Sequence, residues 1–588
     1  MGAERYLAAR RRCFASRPLI VSRAMLPSLL DRARDLPERA YLVARLAQET
    51  GMLWDLRREG GVELARALLR GAQNPSLIYR IHGANIPDRL GVVQGDVAWT
   101  FREVDDRIDR VARGLRRRGV RRGKSLLVML KNRPEFLLVS AACARLGAAA
   151  VAVSWRSRPE ELAYLVNHSG ARALVVESAL LGVVDEASRA FADPVVARNV
   201  YAVGHGGGAV GGALVTPFDD LYAERGRYEA EVGADDEAAV VVYTSGTTGK
   251  PKGAVRKFPK ETLAGAVRFL LETPLRAGDV HLVACPMYHS TAYGFLSLSH
   301  ITGATAVLLE EWKPEAFLAA VARHRVTTTA VVPTMLHRVL ALPPELRAEH
   351  DARSLRVVFS GGAPLSASLA TSFMDAYGDV LYNFYGATET GLVTLAKPAD
   401  LRAAPGTIGH ALPGNEVLLL DDAGLPVAPG AVGELYVRNK MLVAGYHRDD
   451  AATAQSMRDE YFSVGDLARR DADGRYFIEG RKRDMIISGG VNVYPVEIEC
   501  ALEAHPHVAE AAVVGVPDEE WGERVRAYVV PRDGATLDHG ELTLWLRGVL
   551  SGAKVPRELV TLASLPRNPT GKVLKGALAS VAPLERPS

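Results

Sequence analysis

Over the first 75 residues apolar positions recur three and four apart, as in LARALLRGA, a spacing that predicts amphipathic helices. From about Val97 the pattern changes. AWTFREVDDRIDRVARGLRRRG reads as a strand running into a helix, KSLLVML as a compact buried strand, and PEFLLVSAACARLGAA as a helix leading into AVAVS. The alternation persists to about residue 390 and predicts an α/β body with largely parallel sheets. GHGGGAVGGA (204–213) reads as an exposed loop. Between about 405 and 480, short strands such as EVLLL, GELYVRN and GRYFIEGR are punctuated by Gly, Pro and Asp, which predicts a small β-rich unit. Past Arg481, VEIECALEAH and LTLWLRGVL read as helices and VAEAAVVGV and RVRAYVV as strands of a separate α+β domain. The expected division is a basic helical extension (1–75), a large body (76–482) and a C-terminal α+β domain (483–588).

A chain of 588 residues exceeds one hydrophobic core, and 48% apolar with 24% charged residues is ordinary for a globular protein. A net charge of +4 gives no argument for a nucleic-acid partner. The charge is uneven, however: residues 1–70 hold fourteen arginines, no lysine and eight acids. These helices are expected to dock on the body, with peripheral contact to an anionic membrane surface through Arg5, Arg10, Arg11, Arg12, Arg17 and Arg23 as the alternative. No apolar run reaches the ~18 residues of a spanning helix, and PLIVSRAMLPSLL, broken by Arg23 and two prolines, is a poor signal-peptide core. Cys13, Cys143, Cys285 and Cys500 lack metal-ligand spacing and read as isolated buried thiols of a cytoplasmic protein.

The stretch YTSGTTGKPKG, Tyr243–Gly253, gathers hydroxyls, glycines and lysines suited to phosphate. It is not a Walker A loop. Pro251 stands where the second glycine belongs, and Lys250 is followed by proline rather than a magnesium-binding hydroxyl. What remains is a loop offering Thr244, Ser245, Thr247, Thr248, the backbone of Gly246 and Gly249, and the charges of Lys250 and Lys252.

At this stretch the chain resembles the adenylate-forming superfamily of acyl-CoA synthetases, peptide-synthetase adenylation domains and luciferases. The resemblance recurs in order over about residues 95–575. PMYHS carries His289, which the resemblance places at the incoming carboxylate. SGGAPL supplies Gly361, Gly362, Ala363 and Pro364 as a flat face for adenine. NFYGATET brings Asn383, Phe384, Tyr385 and Gly386 to the nucleotide, with Tyr385 stacking on adenine, Thr388 on the α-phosphate and Glu389 holding Mg2+. Asp466 and Arg481 correspond to the ribose contacts, and Lys572 in PRNPTGKVLK to the catalytic lysine.

These residues imply one chemistry. A carboxylate oxygen attacks the α-phosphorus of ATP, forming an acyl-AMP and expelling pyrophosphate; a thiol then takes the acyl group. In the resembled family the C-terminal domain turns about a hinge, here Arg483 where Asp or Lys is usual. The turn brings up a glycine loop, here Ser488, Gly489 and Gly490 with Tyr494, for coenzyme A. The chain ends sixteen residues after Lys572, which favours free CoA over a fused carrier domain. Gly386, where acetate-using relatives have tryptophan, is expected to leave the acyl pocket open, walled by Tyr288, Tyr293, Gly294, Val331, Val332 and Gly361. The expected activity is a medium- to long-chain fatty acyl-CoA synthetase using ATP, Mg2+ and CoA. The alternatives are an acyl-AMP ligase loading a carrier protein and a CoA ligase for an aromatic or branched acid.

Overall fold

The computed structural model describes residues 38–52, 57–69, 74–204, 208–223, 226–228, 238–244, 252–257, 262–443, 445–446, 449–489, 491–532, 534–567 and 573–581. The helices that bear on the site are α1 (Glu38–Glu49), α2 (Arg58–Leu69), α3 (Leu77–Asn85), α4 (Phe101–Arg117), α5 (Pro134–Arg145), α6 (Thr262–Leu271), α7 (Ser290–Ile301) and α8 (Pro495–Glu503).

Two large sheets form the body. In the nine-stranded sheet, Leu90–Gln94, Thr305–Leu308, Val280–Val283, Thr328–Val331, Val357–Ser360 and Leu381–Ala387 lie parallel in that spatial order. Antiparallel strands close both edges. The seven-stranded sheet is parallel except for its edge strand Lys252–Lys257, which pairs antiparallel with Ala238–Thr244. Strands such as Thr328–Val331 and Val357–Ser360 are buried at every position, as a sheet covered on both faces requires.

The cover is helical. Ile108, Val111 and Leu115 of α4 and Phe136 and Leu138 of α5 share one buried cluster with Leu126 and Val128 of the seven-stranded sheet and Val92, Val283 and Ala306 of the nine-stranded one. Helix α4 starts at a capping box: the Glu103 amide donates to Thr100 Oγ1 at 3.3 Å, and the Thr100 amide donates to Glu103 Oε2 at 2.8 Å. A buried charge network ties α3, α4 and α5 together, with Arg80 Nη2 donating to Asp109 Oδ1 at 2.8 Å and Arg145 pairing with both Asp105 and Asp109.

Residues 416–481 form an antiparallel sheet, and strands between Ile486 and Thr561 form a five-stranded sheet with α8 packed on it. Helices α1 and α2 dock on the body. Leu42 and Leu46 join Val267, Leu270 and Leu298 in a buried cluster, and the Arg57 amide donates to Asn85 Oδ1 at 2.7 Å. Arg5 through Arg23 lie outside the described residues, among which no helix is long and apolar enough to cross a membrane.

Several elements differ from expectation. A strand, Leu90–Gln94, precedes Val97 through a tight hairpin at Gly95, whose φ of +53° suits glycine. The loop expected through Lys252 ends earlier, since Lys252 opens an edge strand. Short strands Ala209–Val210 and Ala213–Leu214 pair within the glycine-rich stretch. Cys143 and Cys285 are buried, and burial pushes both thiols up to about 12; Cys500 is exposed as a residue, yet burial of its thiol, with Glu503, Glu499 and Glu479 nearby, pushes it up to about 12 as well.

Candidate active site

Three loops meet at the carboxyl ends of parallel strands, the edge where open α/β sheets place ligand crevices. They follow Val280–Val283, Val357–Ser360 and Leu381–Ala387 and carry His289, Gly361–Pro364, and Thr388 with Glu389. With the β-rich unit and the C-terminal domain they bound a cleft of about 2730 Å3.

At the nucleotide end, Asp466 and Arg481 are directly paired across two antiparallel strands, with Arg481 Nε 3.2 Å from Asp466 Oδ1. The other carboxylate oxygen accepts from the Tyr385 hydroxyl at 2.8 Å. Burial, and after it the Asp466 charge, holds that hydroxyl well above the ordinary tyrosine range, so it stays a donor. Arg481 and Tyr385 thus fix a carboxylate that is only 7% exposed.

Gly362 takes a left-handed φ of +78°. Gly361 is glycine for a different reason: a Cβ there would stand 2.5 Å from Phe384 Cζ. Phe384 is therefore the floor beneath this loop, packed 5.0 Å from Phe295. Asn383 is 3% exposed and its side-chain amide donates to Thr407 O at 2.9 Å, bracing the backbone. At Gly386 a Cβ would meet Gly391 O at 2.0 Å. The close approach of the next strand demands this glycine, so its absent side chain is not what leaves the acyl pocket open.

Thr388 Oγ1 lies 3.3 Å from Ser290 Oγ. The Glu389 carboxylate is 7% exposed and accepts from the Tyr446 hydroxyl at 3.1 Å, while its carbonyl accepts from the Val443 amide at 2.8 Å. An oriented carboxylate beside a hydroxyl suits Mg2+, which takes one or two carboxylates and completes its shell with phosphate and water. Among the described residues no cluster of three or more His, Cys, Asp or Glu offers an alternative metal site. Ser290 and Tyr446 escaped sequence reading because their partners lie far along the chain.

His289 sits at the N-cap of α7 with its ring 4.2 Å from that of Tyr288. Burial lowers its pKa to about 4, so the ring is neutral near pH 7, and Nε2 has no hydrogen-bond partner among the described residues. Beyond it the cleft continues along α7, where Tyr293, Gly294, Ser297, Leu298 and Ile301 line it. A Cβ on Gly294 would point into open space. Tyr288 and Tyr293 stand in this wall as expected. Val331 does not: its side chain, 1% exposed, enters the core with Leu282 and Leu336, and Val332 packs half-buried against the neighbouring core cluster.

On the C-terminal side, Val573, Leu574 and Lys575 line the cleft, whereas Ser488 and Gly489 do not. Gly489 is held elsewhere, its amide donating to Trp521 O at 2.9 Å and its Cα position packed against the Trp521 ring. Tyr494 is half-buried at the N-cap of α8. Two ion pairs flank the segment around position 572: Arg567 with Glu510 at 2.9 Å and Lys575 with Glu499 at 2.7 Å. Arg483 lines the cleft from the turn Lys482–Asp484. Residues 245–250, Gly490 and Lys572 lie outside the described residues; Thr244 and Lys252 pair across the strands that lead into and out of the loop.

The profile of the AMP-binding enzyme family matches residues 80–447, and that of the AMP-binding enzyme C-terminal domain residues 497–572. The chain belongs to this family, the adenylate-forming enzymes. It is an AMP-forming acid–thiol ligase, an acyl-CoA synthetase that works with ATP, Mg2+ and CoA. It is similar to the feruloyl-CoA synthase of an Amycolatopsis species, 37% identical over 83% of this chain and 95% of that one. It is also similar to a long-chain-fatty-acid–CoA ligase of Mycobacterium tuberculosis, 30% identical over 82% of this chain and 93% of the other. Among solved structures it matches an anthranilate CoA ligase in complex with anthranoyl-AMP with a TM-score of 0.80, at 26% identity over 87% of this chain and 97% of that one.

Proposed function

We propose that the carboxylic acid is one with a long apolar tail, a medium- to long-chain fatty acid. The observation carrying this reading is the continuous space along α7. It starts at His289 and reaches Ile301, and twelve residues at 1.5 Å each make about 18 Å. With C–C bonds of about 1.5 Å an extended chain advances roughly 1.3 Å per carbon, so this length takes about 14 carbons. Tyr293, Phe295, Leu298 and Ile301 supply apolar surface to that wall, and α7 carries no Asp, Glu, Lys or Arg to pair with a charged tail. A second reading, an aromatic acid, is favoured by the feruloyl and anthranilate relatives.

In the proposed reaction the neutral His289 meets the carboxylate with its unpaired nitrogen and orients one oxygen toward the α-phosphorus of ATP. The flat face Gly361–Pro364 takes adenine; Asp466 and Arg481 take the ribose hydroxyls; the hydroxyl of Thr388 donates to the α-phosphate. Glu389 would hold Mg2+, which would supply positive charge beside the phosphates. Lys572 adds a positive charge at the transferring group, and the stretch between Thr244 and Lys252 grips the β- and γ-phosphates that leave as pyrophosphate. Such prepositioned donors lower the barrier because they need no reorganisation as charge develops. That Val573–Lys575 line the cleft supports a place for the neighbouring Lys572 in the adenylation step. Thioester formation then requires the C-terminal domain to turn about Arg483 and bring Ser488–Gly490 to the acyl-AMP.

The test is product identification by mass spectrometry, with ATP, Mg2+ and acids of four to eighteen carbons together with ferulate and anthranilate, with and without CoA. Acyl-CoA formed from acids of about ten carbons or more is the expected result. Preference for ferulate or anthranilate would replace the fatty-acid reading with the aromatic one. Acyl-AMP that accumulates regardless of CoA would point to a carrier protein as acceptor.

A further inference from the structure

The family profile begins at residue 80, so α1 and α2 stand outside it. Yet Leu46 and Ala47 of α1, Met52 in the following turn and Leu64 of α2 line the same cleft as His289. Their position follows from how each helix docks. Helix α1 packs on α6, with Leu46 in one cluster with Val267 and with Leu298 of the last turns of α7. Helix α2 packs on α3, where Gly60 abuts Asn85 closely enough that a Cβ would fall 2.3 Å from Asn85 Cβ. The turn between them is tied down, since the Ala277 amide donates to Thr50 O at 2.8 Å. The pair therefore bridges α6 and α3 across the end of α7 remote from His289.

We propose that α1 and α2 form the far end of the acyl channel and set the longest tail it accepts, with Ala47, Met52 and Leu64 as the length-determining side chains. The inference rests on the apolar-tail reading above. A channel that only followed α7 would be open at Ile301; with the extension docked, the tail's last carbons meet an apolar wall. Tails that reach this wall gain contact with each added carbon, and longer ones collide with it.

Two variants of the full chain separate the possibilities. Ala47→Trp enlarges the proposed end wall; Gly294→Phe fills the channel midway, where a Cβ points into open space. Pyrophosphate release is measured for saturated acids of six to eighteen carbons, with thermal unfolding to show that each variant is folded. The expected result is a shortened profile for both, Gly294→Phe at fewer carbons, with the kcat/KM ratio of hexadecanoate to octanoate falling at least tenfold in Ala47→Trp. Met52→Phe, in the turn, gives the same direction should Ala47→Trp not fold. A shortened profile in Gly294→Phe alone overturns the role of the extension and leaves the acid assignment standing. No change in either variant overturns both.

Discussion

Replacing Gly361 with alanine adds one methyl where the packing holds no room for it. The new carbon would stand 2.5, 2.6 and 2.7 Å from Cζ, Cε1 and Cε2 of Phe384, against about 3.5–4.0 Å for an ordinary carbon contact. The overlap is roughly 1 Å. Gly361 has no left-handed φ, so the backbone itself tolerates alanine and packing alone carries the effect. The ring cannot retreat easily: Phe384 is 6% exposed and 5.0 Å from Phe295, itself 4.6 Å from Phe359. The 361–364 loop must shift instead, and overpacking of this kind costs about 1–3 kcal/mol. Because a displacement of ~1 Å in a positioning element can cost about a hundredfold, kcat/KM for ATP should fall about ten- to a hundredfold, with a smaller effect on the KM for the acid. The assay is pyrophosphate release against ATP concentration, alongside thermal unfolding. Gly361→Ala/Phe384→Leu, which trims the ring, should recover most of the loss. Normal ATP kinetics and unchanged unfolding in Gly361→Ala would refute the reasoning, as would a double variant no better than the single one.

Lys572→Ala should lower adenylation about a hundred- to a thousandfold, as loss of one preorganised charge does, yet preserve thioester formation from synthetic acyl-AMP and CoA; rapid-quench assays of the two half-reactions check this. Asp109→Ala leaves Arg145, 1% exposed, and Arg80 with Asp105 as their one counter-charge among the described residues, and should destabilise the fold by about 3 kcal/mol in urea unfolding. Acid sensitivity follows from buried histidines. Burial lowers His82, His289 and His300 to about 4 and His281 to about 3, so between these values and the ordinary 6.5 the unfolded chain binds protons that the native one refuses. Stability should therefore be fully present above about pH 6.5 and fall as the pH drops toward 4, at up to ~3 kcal/mol per histidine. Urea midpoints measured from pH 7.5 to 4.5 check the sign, and a flat profile would contradict it.

The α/β body was legible because parallel strands buried on both faces, such as VVFS at 357–360, read as continuous apolar runs. Leu90–Gln94 was harder, because a hairpin strand next to prolines and charged residues shows little of that signal. Lys252–Lys257 was hidden by its lysines, which suit an exposed edge. In the site, local motifs named the loops, but not what holds them. Tyr446 on Glu389 and Ser290 beside Thr388 are contacts across 57 and 98 residues, set by tertiary packing alone. Val331 failed for a simpler reason: as the last residue of a strand covered on both faces it points into a core layer, and adjacency to a site loop says nothing about which face it takes.

The proposed turn of the C-terminal domain is consistent with where the charges sit. Glu499 and Glu510, which pair with Lys575 and Arg567, belong to the same domain as their partners, so rotation breaks neither pair. Val573–Lys575 would leave the cleft with these pairs intact. On the body side, Lys482 is held by Glu434 at 3.1 Å and Asp422 at 2.9 Å. The very next residue, Arg483, pairs with its neighbour Asp484 at 3.4 Å and keeps a side chain 46% exposed. An exposed pair of this kind contributes roughly 0–1 kcal/mol. Lys482 is tied to two carboxylates of the body, whereas the pair of Arg483 with Asp484 is local, an arrangement consistent with the proposed pivot at residue 483. Arginine in place of the usual Asp or Lys then acts mainly through that local pair. Arg483→Ala should shift the balance of the two half-reactions by no more than about fivefold, whereas Arg483→Pro, which fixes φ near −65°, should abolish thioester formation and leave adenylation measurable. Equal loss of both half-reactions in Arg483→Pro would place the pivot elsewhere.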